Sequence, residues 1–98
     1  MSQVINSYES VVIFSLKLGE EGINALIEKF TALIEKNGTL GEVEHWGKRR
    51  LAYLINKEPE GYYVLFNFKS APEFPAELNR IYRITDGVLR SLTINKDD

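Results

Sequence analysis

Residues 8–38, YESVVIFSLKLGEEGINALIEKFTALIEKNG, decide the fold because they hold one clear strand followed by one clear helix. Segment 8–16 is rich in β-branched and aromatic residues and is apolar on both alternating faces, which predicts a central strand. The next segment spaces its apolar residues as one stripe of a helix. These residues are Ile23, Leu26, Ile27, Phe30, Leu33 and Ile34. Asn37 and Gly38 predict the end of the helix, with a left-handed backbone at the glycine.

Two further strands follow this helix. Segment 39–56 returns to an extended pattern, and Gly47 predicts a bulge or a close backbone approach within it. Segment 62–69 is a strong strand in which alternate apolar residues share one face. The residues of that face are Tyr62, Val64, Phe66 and Phe68. The intervening Glu58-Pro59-Glu60-Gly61 predicts the turn, since proline and glycine each supply part of its geometry.

The last part of the chain predicts a second helix and a fourth strand. Segment 72–84 carries Pro75 near its first turn, where the missing N–H is harmless, and segment 88–95 is extended. The order strand, helix, strand, strand, helix, strand predicts an α+β fold of the ferredoxin-like plan, βαββαβ. We therefore expect a single domain over residues 1–98, with a four-stranded antiparallel sheet and both helices on one face. The other sheet face is the first place to look for function.

Composition excludes several classes of protein. The 98 residues include no cysteine, which excludes disulfide scaffolds, thiolate zinc sites and cysteine nucleophiles. The N-terminal residues lack the basic and apolar regions of a secretory signal. No apolar run approaches the about 20 residues that span a bilayer. The expectation is a cytoplasmic domain without a membrane segment.

Catalytic chemistry is not indicated. His45 is the only histidine, so the ligand count for a zinc site is not reached. Glu42 and Glu44 fall two apart on one strand, where a solvated strand face is the more common reading than a catalytic carboxylate pair. No glycine-rich turn between a strand and a helix suggests a phosphate site. We expect no enzymatic activity, no metal, no cofactor and no small-molecule substrate.

A short basic run stands out in a chain that is acidic overall. Residues 46–53 read WGKRRLAY, and residues 46–57 hold four positive charges and no negative one, whereas the whole chain sums to −2. The general field of an acidic chain does not attract polyanions, so a local patch is the part able to bind them. Alternation puts Lys48 and Arg50 on one side of the strand and Arg49 on the other. A second basic group comprises Arg80, Arg83 and Arg90. The alternative for so short a run is a solvated strand edge.

Aromatic residues suggest a use for the open sheet face. Trp46, Tyr63 and Leu65 form an interface candidate, because tryptophan and tyrosine anchor protein–protein contacts. The alternative is that Trp46 only packs over the bend of the second strand. Base stacking of the RNA-recognition-motif kind is not favoured, because Glu60 and Tyr63 stand where a basic and a small residue belong.

The residues that carry a family resemblance are the block 46–53, WGKRRLAY, and a spaced set along the chain. The set comprises Tyr8-Glu9, Glu20-Glu21, Asn37-Gly38, Gly61-Tyr62-Tyr63, Glu77-Leu78, Arg80, Ile84, Asp86 and Val88-Leu89-Arg90. With these residues the chain resembles, over nearly its full length, the bacterial small-subunit ribosomal protein six family.

The resemblance implies a ferredoxin-like fold, no enzymatic activity and a structural role in the small subunit of the cytoplasmic ribosome. It also implies binding to the central domain of 16S ribosomal RNA as a heterodimer with small-subunit ribosomal protein eighteen. The residues expected to contact phosphates are Lys48, Arg49 and Arg50 and, more weakly, Arg80, Arg83 and Arg90. The residues expected on the partner surface are Trp46, Tyr63 and Leu65. A strongly basic partner would reconcile the acidic net charge with RNA binding.

A different class of function stays open beside this one. A small ferredoxin-like homo-oligomer could use the same open face for self-association, with a ligand or regulatory pocket between subunits. Such a module has no need of the basic run, which is the feature that separates the two hypotheses.

Overall fold

The structure is a computed structural model that describes residues 5–55 and 57–97. The strands are β1 (Asn6–Ser15), β2 (Gly38–Ile55), β3 (Glu58–Ser70) and β4 (Val88–Asn95), and the helices are α1 (Gly19–Asn37) and α2 (Phe74–Ile84). A single 3-10 turn, Leu16–Leu18, joins β1 to α1. The sheet order is β2-β3-β1-β4 with every neighbouring pair antiparallel. The predicted ferredoxin-like βαββαβ fold is confirmed.

One hydrophobic core lies between the sheet and the two helices. Alternate residues of the central strands β1 and β3 point into it and meet the apolar stripes of both helices. The most buried large side chains are Tyr82, Phe14, Phe30, Phe66, Ile34 and Leu78. Helix α1 packs beside β2 and α2 beside β4. Both helices therefore cover the same face of the sheet, and the opposite face has no helix over it.

Helix α1 ends at Asn37 as predicted, but the backbone of Gly38 differs from its prediction. Gly38 is extended, with φ −173° and ψ −154°, and the expected left-handed backbone is wrong. Strand β2 begins at this residue, and Gly38 already pairs with Ser70 of β3. A Cβ atom at this position would overlap the carbonyl oxygen of Lys69. The glycine is required by a close approach of two backbones and not by its dihedral angles.

The predicted turn over Glu58–Gly61 is also wrong. These residues belong to β3, and the chain reverses at Lys57, which has a φ of 66°. Asn56, the predicted end of the second strand, lies outside the described residues. The bulge predicted at Gly47 is confirmed by its φ of 84° and by a register shift between His45 and Gly47. The turn prediction failed because a strand can accommodate proline where the partner strand is irregular. Pro59 has no N–H to donate, and it lies opposite the irregular part of β2 between Arg50 and Ile55.

Over the described ranges 5–55 and 57–97, no helix combines the length and apolar character needed to cross a membrane.

Candidate functional site

The face of the sheet without helices, called the open face below, is built from residues of all four strands. Register pairing aligns the outward residues of neighbouring strands. They are Glu9, Val11 and Ile13 of β1, Arg90, Leu92 and Ile94 of β4, Tyr63, Leu65 and Asn67 of β3, and Glu44, Trp46 and Arg49 of β2. The bulge at Gly47 turns Trp46 onto this face, while its neighbour His45 contacts Tyr62 on the helix side.

An aromatic and cationic stack stands on the β2 side of the open face. The rings of Trp46 and Tyr63 are stacked with centroids 6.4 Å apart and planes 17° apart. The guanidinium carbon of Arg49 lies 5.7 Å from the centre of the Trp46 ring, within cation–π range. The indole N–H of Trp46 donates to Glu44 at 3.4 Å. Trp46 remains 40% exposed, so a large part of this anchor is available for contact.

The rest of the open face has a covered centre and an exposed apolar edge. Leu65 and Ile13 are only 4% and 8% exposed, because neighbouring side chains cover them. By contrast, Leu92 and Ile94 of β4 are 63% and 49% exposed. Sequence reasoning missed this pair. The signal was the alternation of Arg90, Leu92 and Ile94, which the topology then placed on the face without helices.

The six candidate phosphate-binding cations do not form one patch. Arg49 and Arg90 lie on the open face. Lys48 and Arg50 point to the helix side of the β2 edge, because their register partners are Tyr62 and Glu60. The ammonium of Lys48 lies 4.0 Å from the carboxylate of Glu60, and both side chains are well exposed. Such an exposed ion pair contributes little to the stability of the fold. The predicted alternation within the basic run is therefore confirmed.

Arg80 and Arg83 lie on α2, across the sheet from Arg90. The guanidinium of Arg80 donates two hydrogen bonds to Glu77, at 3.1 and 2.5 Å. These hydrogen bonds lower the pKa of the Glu77 carboxyl, and they raise the pKa of Arg80 with help from the opposite charge. The second basic group of the sequence is therefore split between two sides of the molecule.

The last part of β2 bends onto the open face. Arg90 of β4 donates a hydrogen bond from Nη1 to the hydroxyl of Tyr53, and its guanidinium carbon lies 5.9 Å from the centre of the Tyr53 ring. Tyr53 itself is 61% exposed. No local sequence pattern links residues 37 positions apart, so only the tertiary fold reveals this contact.

His45 has an ordinary environment for a surface histidine. Its Nδ1 lies 3.3 Å from the hydroxyl of Tyr62, and the two rings meet edge to face. Among the described residues, no three His, Asp or Glu side chains gather as a metal site would require. The two carboxylates singled out beside it also differ in setting, since Glu44 accepts from Trp46 whereas the backbone carbonyl of Glu42 accepts from Asn67.

Comparison with known proteins gives a consistent answer. The family model described as Ribosomal protein S6 matches residues 7–95. The small ribosomal subunit protein bS6 of Thermoanaerobacter pseudethanolicus is 54% identical over 97 residues, covering 96% of this chain and 100% of that protein. Its counterpart from Clostridium novyi is 51% identical over 94 residues, which cover 95% of this chain and 99% of that protein.

A solved structure supports the same assignment. The crystal structure of 30S ribosomal protein S6 from Thermotoga maritima superposes with a TM-score of 0.90 at 32% identity, covering 97% of this chain and 91% of that one. The likeness thus extends over the whole fold as well as over the sequence. The chain belongs to the ribosomal protein S6 family of structural, non-enzymatic proteins and, as a member, is a constituent of the small subunit of the cytoplasmic ribosome.

Proposed function

We propose that this chain binds the central domain of 16S ribosomal RNA as a heterodimer with small-subunit ribosomal protein eighteen. The observation that carries the proposal is the open face, where an aromatic stack and an exposed apolar edge have no helix over them. Exposed tryptophan and tyrosine side chains are the commonest anchors of protein interfaces. We therefore place the protein partner on this face.

The partner surface runs from Trp46 and Tyr63, over the covered Leu65, to Leu92 and Ile94. Trp46 and Leu92 supply the exposed apolar area, and its removal from water would favour association. Leu65 lies beneath the neighbouring side chains of this face and contributes little contact area of its own, since it is 4% exposed.

The RNA surface is proposed at the basic run. Lys48 and Arg50 lie at the edge of β2 on the helix side and stay accessible when a partner covers the open face. Arg49 stands over Trp46 at the boundary between both surfaces. Phosphate contacts from these side chains would orient the protein without reading sequence. Arg83 is a weaker candidate, and Arg80 weaker still because Glu77 holds its guanidinium.

The net charge predicts that the partner is needed for RNA binding. At −2 the chain repels a polyanion at long range, so the four cations of residues 46–57 act only at short distance. A basic partner on the open face would reverse the sign of the combined field. We therefore expect weak binding by the chain alone and tight, salt-dependent binding by the pair.

A gel-shift titration with a central-domain RNA fragment tests the proposal, performed with and without purified small-subunit ribosomal protein eighteen. Binding only by the pair is the expected result. Arg50→Glu should then weaken binding roughly tenfold or more. The control Lys36→Glu makes an equal charge change just before the start of β2, at the opposite end of that strand from Arg50, and should have little effect. No RNA binding at low salt in either mixture, together with a stable symmetric dimer of the chain alone, would favour the homo-oligomeric module instead.

A further inference from the structure

Residues 51–55, called the hairpin arm below, are weakly tied to the strand beside them. Arg50 pairs with Glu60 and Ile55 pairs with Glu58, so the intervening residues of β2 face only Pro59. Proline has no N–H to donate to a ladder. Residues 51–54 of the arm therefore have no regular register with β3, unlike most of β2.

The arm is held instead by a contact that crosses the sheet. Strands β2 and β4 are its two edges, separated by three strand spacings, or about 14 Å. Yet Tyr53 of the arm accepts a hydrogen bond from Arg90 of β4. For this contact to form, the arm must bend over β3 and β1 on the open face. A cavity of about 200 Å3 lies beneath it, with Ile13 and Tyr63 among its lining residues.

We propose that Arg90 is a positioning residue: through Tyr53 it holds the hairpin arm across the open face and so orients the basic run for RNA, without contacting a phosphate itself. The RNA part of this inference rests on the proposed function. Arg50 directly precedes the arm, so an arm free to swing would carry this side chain with it. Ordering the arm before binding removes a cost that would otherwise reduce affinity.

Hydrogen exchange on the free protein tests the holding contact, independently of any RNA. Tyr53→Phe keeps the ring and every charge but removes the acceptor of the Arg90 hydrogen bond. We expect the arm amides of this variant to exchange roughly three- to tenfold faster than in the unmodified protein. Amides of the central strands β1 and β3 are the internal control and should be unchanged. Unchanged arm exchange would overturn the proposal whatever RNA binding shows.

Salt titration of RNA binding by the heterodimer separates positioning from direct contact. If Arg90 positions the arm, Arg90→Lys lowers the affinity about as much as Arg90→Gln, both leave the salt slope unchanged, and Tyr53→Phe is not additive with them. If Arg90 contacts a phosphate, the lysine variant binds nearly normally, the glutamine variant lowers the slope by about 1, and Tyr53→Phe has no effect. The second pattern overturns the proposal. Complete absence of RNA binding would instead refute the proposed function, and the exchange experiment would still decide what Arg90 does.

Discussion

At the scale of single residues, the junction after β1 depends on a buried polar pair. The hydroxyl of Ser15 donates to Glu58 at 2.6 Å and accepts from the backbone N–H of Lys17 at 3.1 Å. Ser15 and Glu58 are 5% and 8% exposed. Because a buried carboxyl without a partner is costly, this hydroxyl links the end of β1 to the start of β3.

Ser15→Ala should lower the free energy of unfolding by about 1–3 kcal/mol, because Glu58 loses its donor while it stays buried. The matched control is Ser91→Ala, a half-buried serine on β4, which should cost under about 1 kcal/mol. Urea unfolding at pH 7 measures both. Equal losses in the two variants would show that Glu58 does not depend on Ser15.

Two glycines should respond to substitution in opposite orders. At Gly38 a side chain meets the backbone of Lys69, so Ala should cost about 1–3 kcal/mol and the larger Asn more. At Gly47 the space is open but φ is +84°, so Ala should cost about 1–2 kcal/mol and Asn less, since Asn tolerates that region better. Thermal unfolding of the four variants gives the comparison. The same ranking of Ala and Asn at both sites would contradict this account.

At the scale of elements, a hydroxyl network joins α2 to β1 and β4. The side chain of Ser10 donates to the hydroxyl of Tyr82 at 2.9 Å, and Thr93 lies 3.1 Å from Ser10 and 2.9 Å from Asn79. Tyr82 is fully buried, and burial raises its pKa well above the ordinary value, with a smaller opposing effect from the Ser10 hydrogen bond. Helix α2 is thus fixed by polar contacts as well as by its apolar stripe.

The raised pKa of Tyr82 predicts a loss of stability in alkali. Below pH 10 both folded and unfolded states keep the phenol protonated, so the contribution is complete. Above pH 10 only the unfolded state ionises, and the free energy of unfolding falls as pH rises toward the folded-state pKa. From pH 9 to pH 11 the unmodified protein should lose about 1.4 kcal/mol more than Tyr82→Phe.

At pH 7 the same Tyr82→Phe variant should be less stable by about 1 kcal/mol, since it lacks the hydrogen bond with Ser10. Urea unfolding at pH 7, 9 and 11 measures both effects. Parallel pH profiles for the two proteins would show that another group causes the alkaline loss.

At the scale of the whole molecule, the open face is the proposed partner surface. Leu92 on the open face and Ile84 at the end of α2 are almost equally exposed, at 63% and 67%. Only Leu92 belongs to the proposed partner surface. Substituting each of them in turn therefore distinguishes the loss of an interface contact from a general loss of exposed apolar surface.

Leu92→Gln should weaken association with small-subunit ribosomal protein eighteen roughly tenfold, because burial of its side chain is then lost. Ile84→Gln should change the affinity less than twofold. Both variants should unfold at nearly the same temperature as the unmodified protein, since neither side chain is buried. Calorimetric titration measures the affinities, and equal weakening by the two variants would contradict an interface on the open face.

The accuracy of sequence-based reasoning differed between the interior and the surface of this molecule. Helix α1 was predicted well because its stripe, Ile23 through Ile34, repeats with the helical period, and strand β4 was predicted at its observed bounds. The wrong features were a turn at Pro59 and a left-handed Gly38. In both cases a neighbouring strand, and not the local residue preference, determined the backbone.

By itself the sequence determined the order of elements, the buried faces and the family, because periodicity and a specific block such as 46–53 are properties of the chain alone. Only the tertiary structure decided which cations share a surface. It put Arg49 and Arg90 on the open face, left Lys48 and Arg50 on the helix side, and brought Arg90 to Tyr53 across the sheet. The reason is that strand register and the bend of the hairpin arm arise from contacts between residues far apart in sequence, which local patterns do not encode.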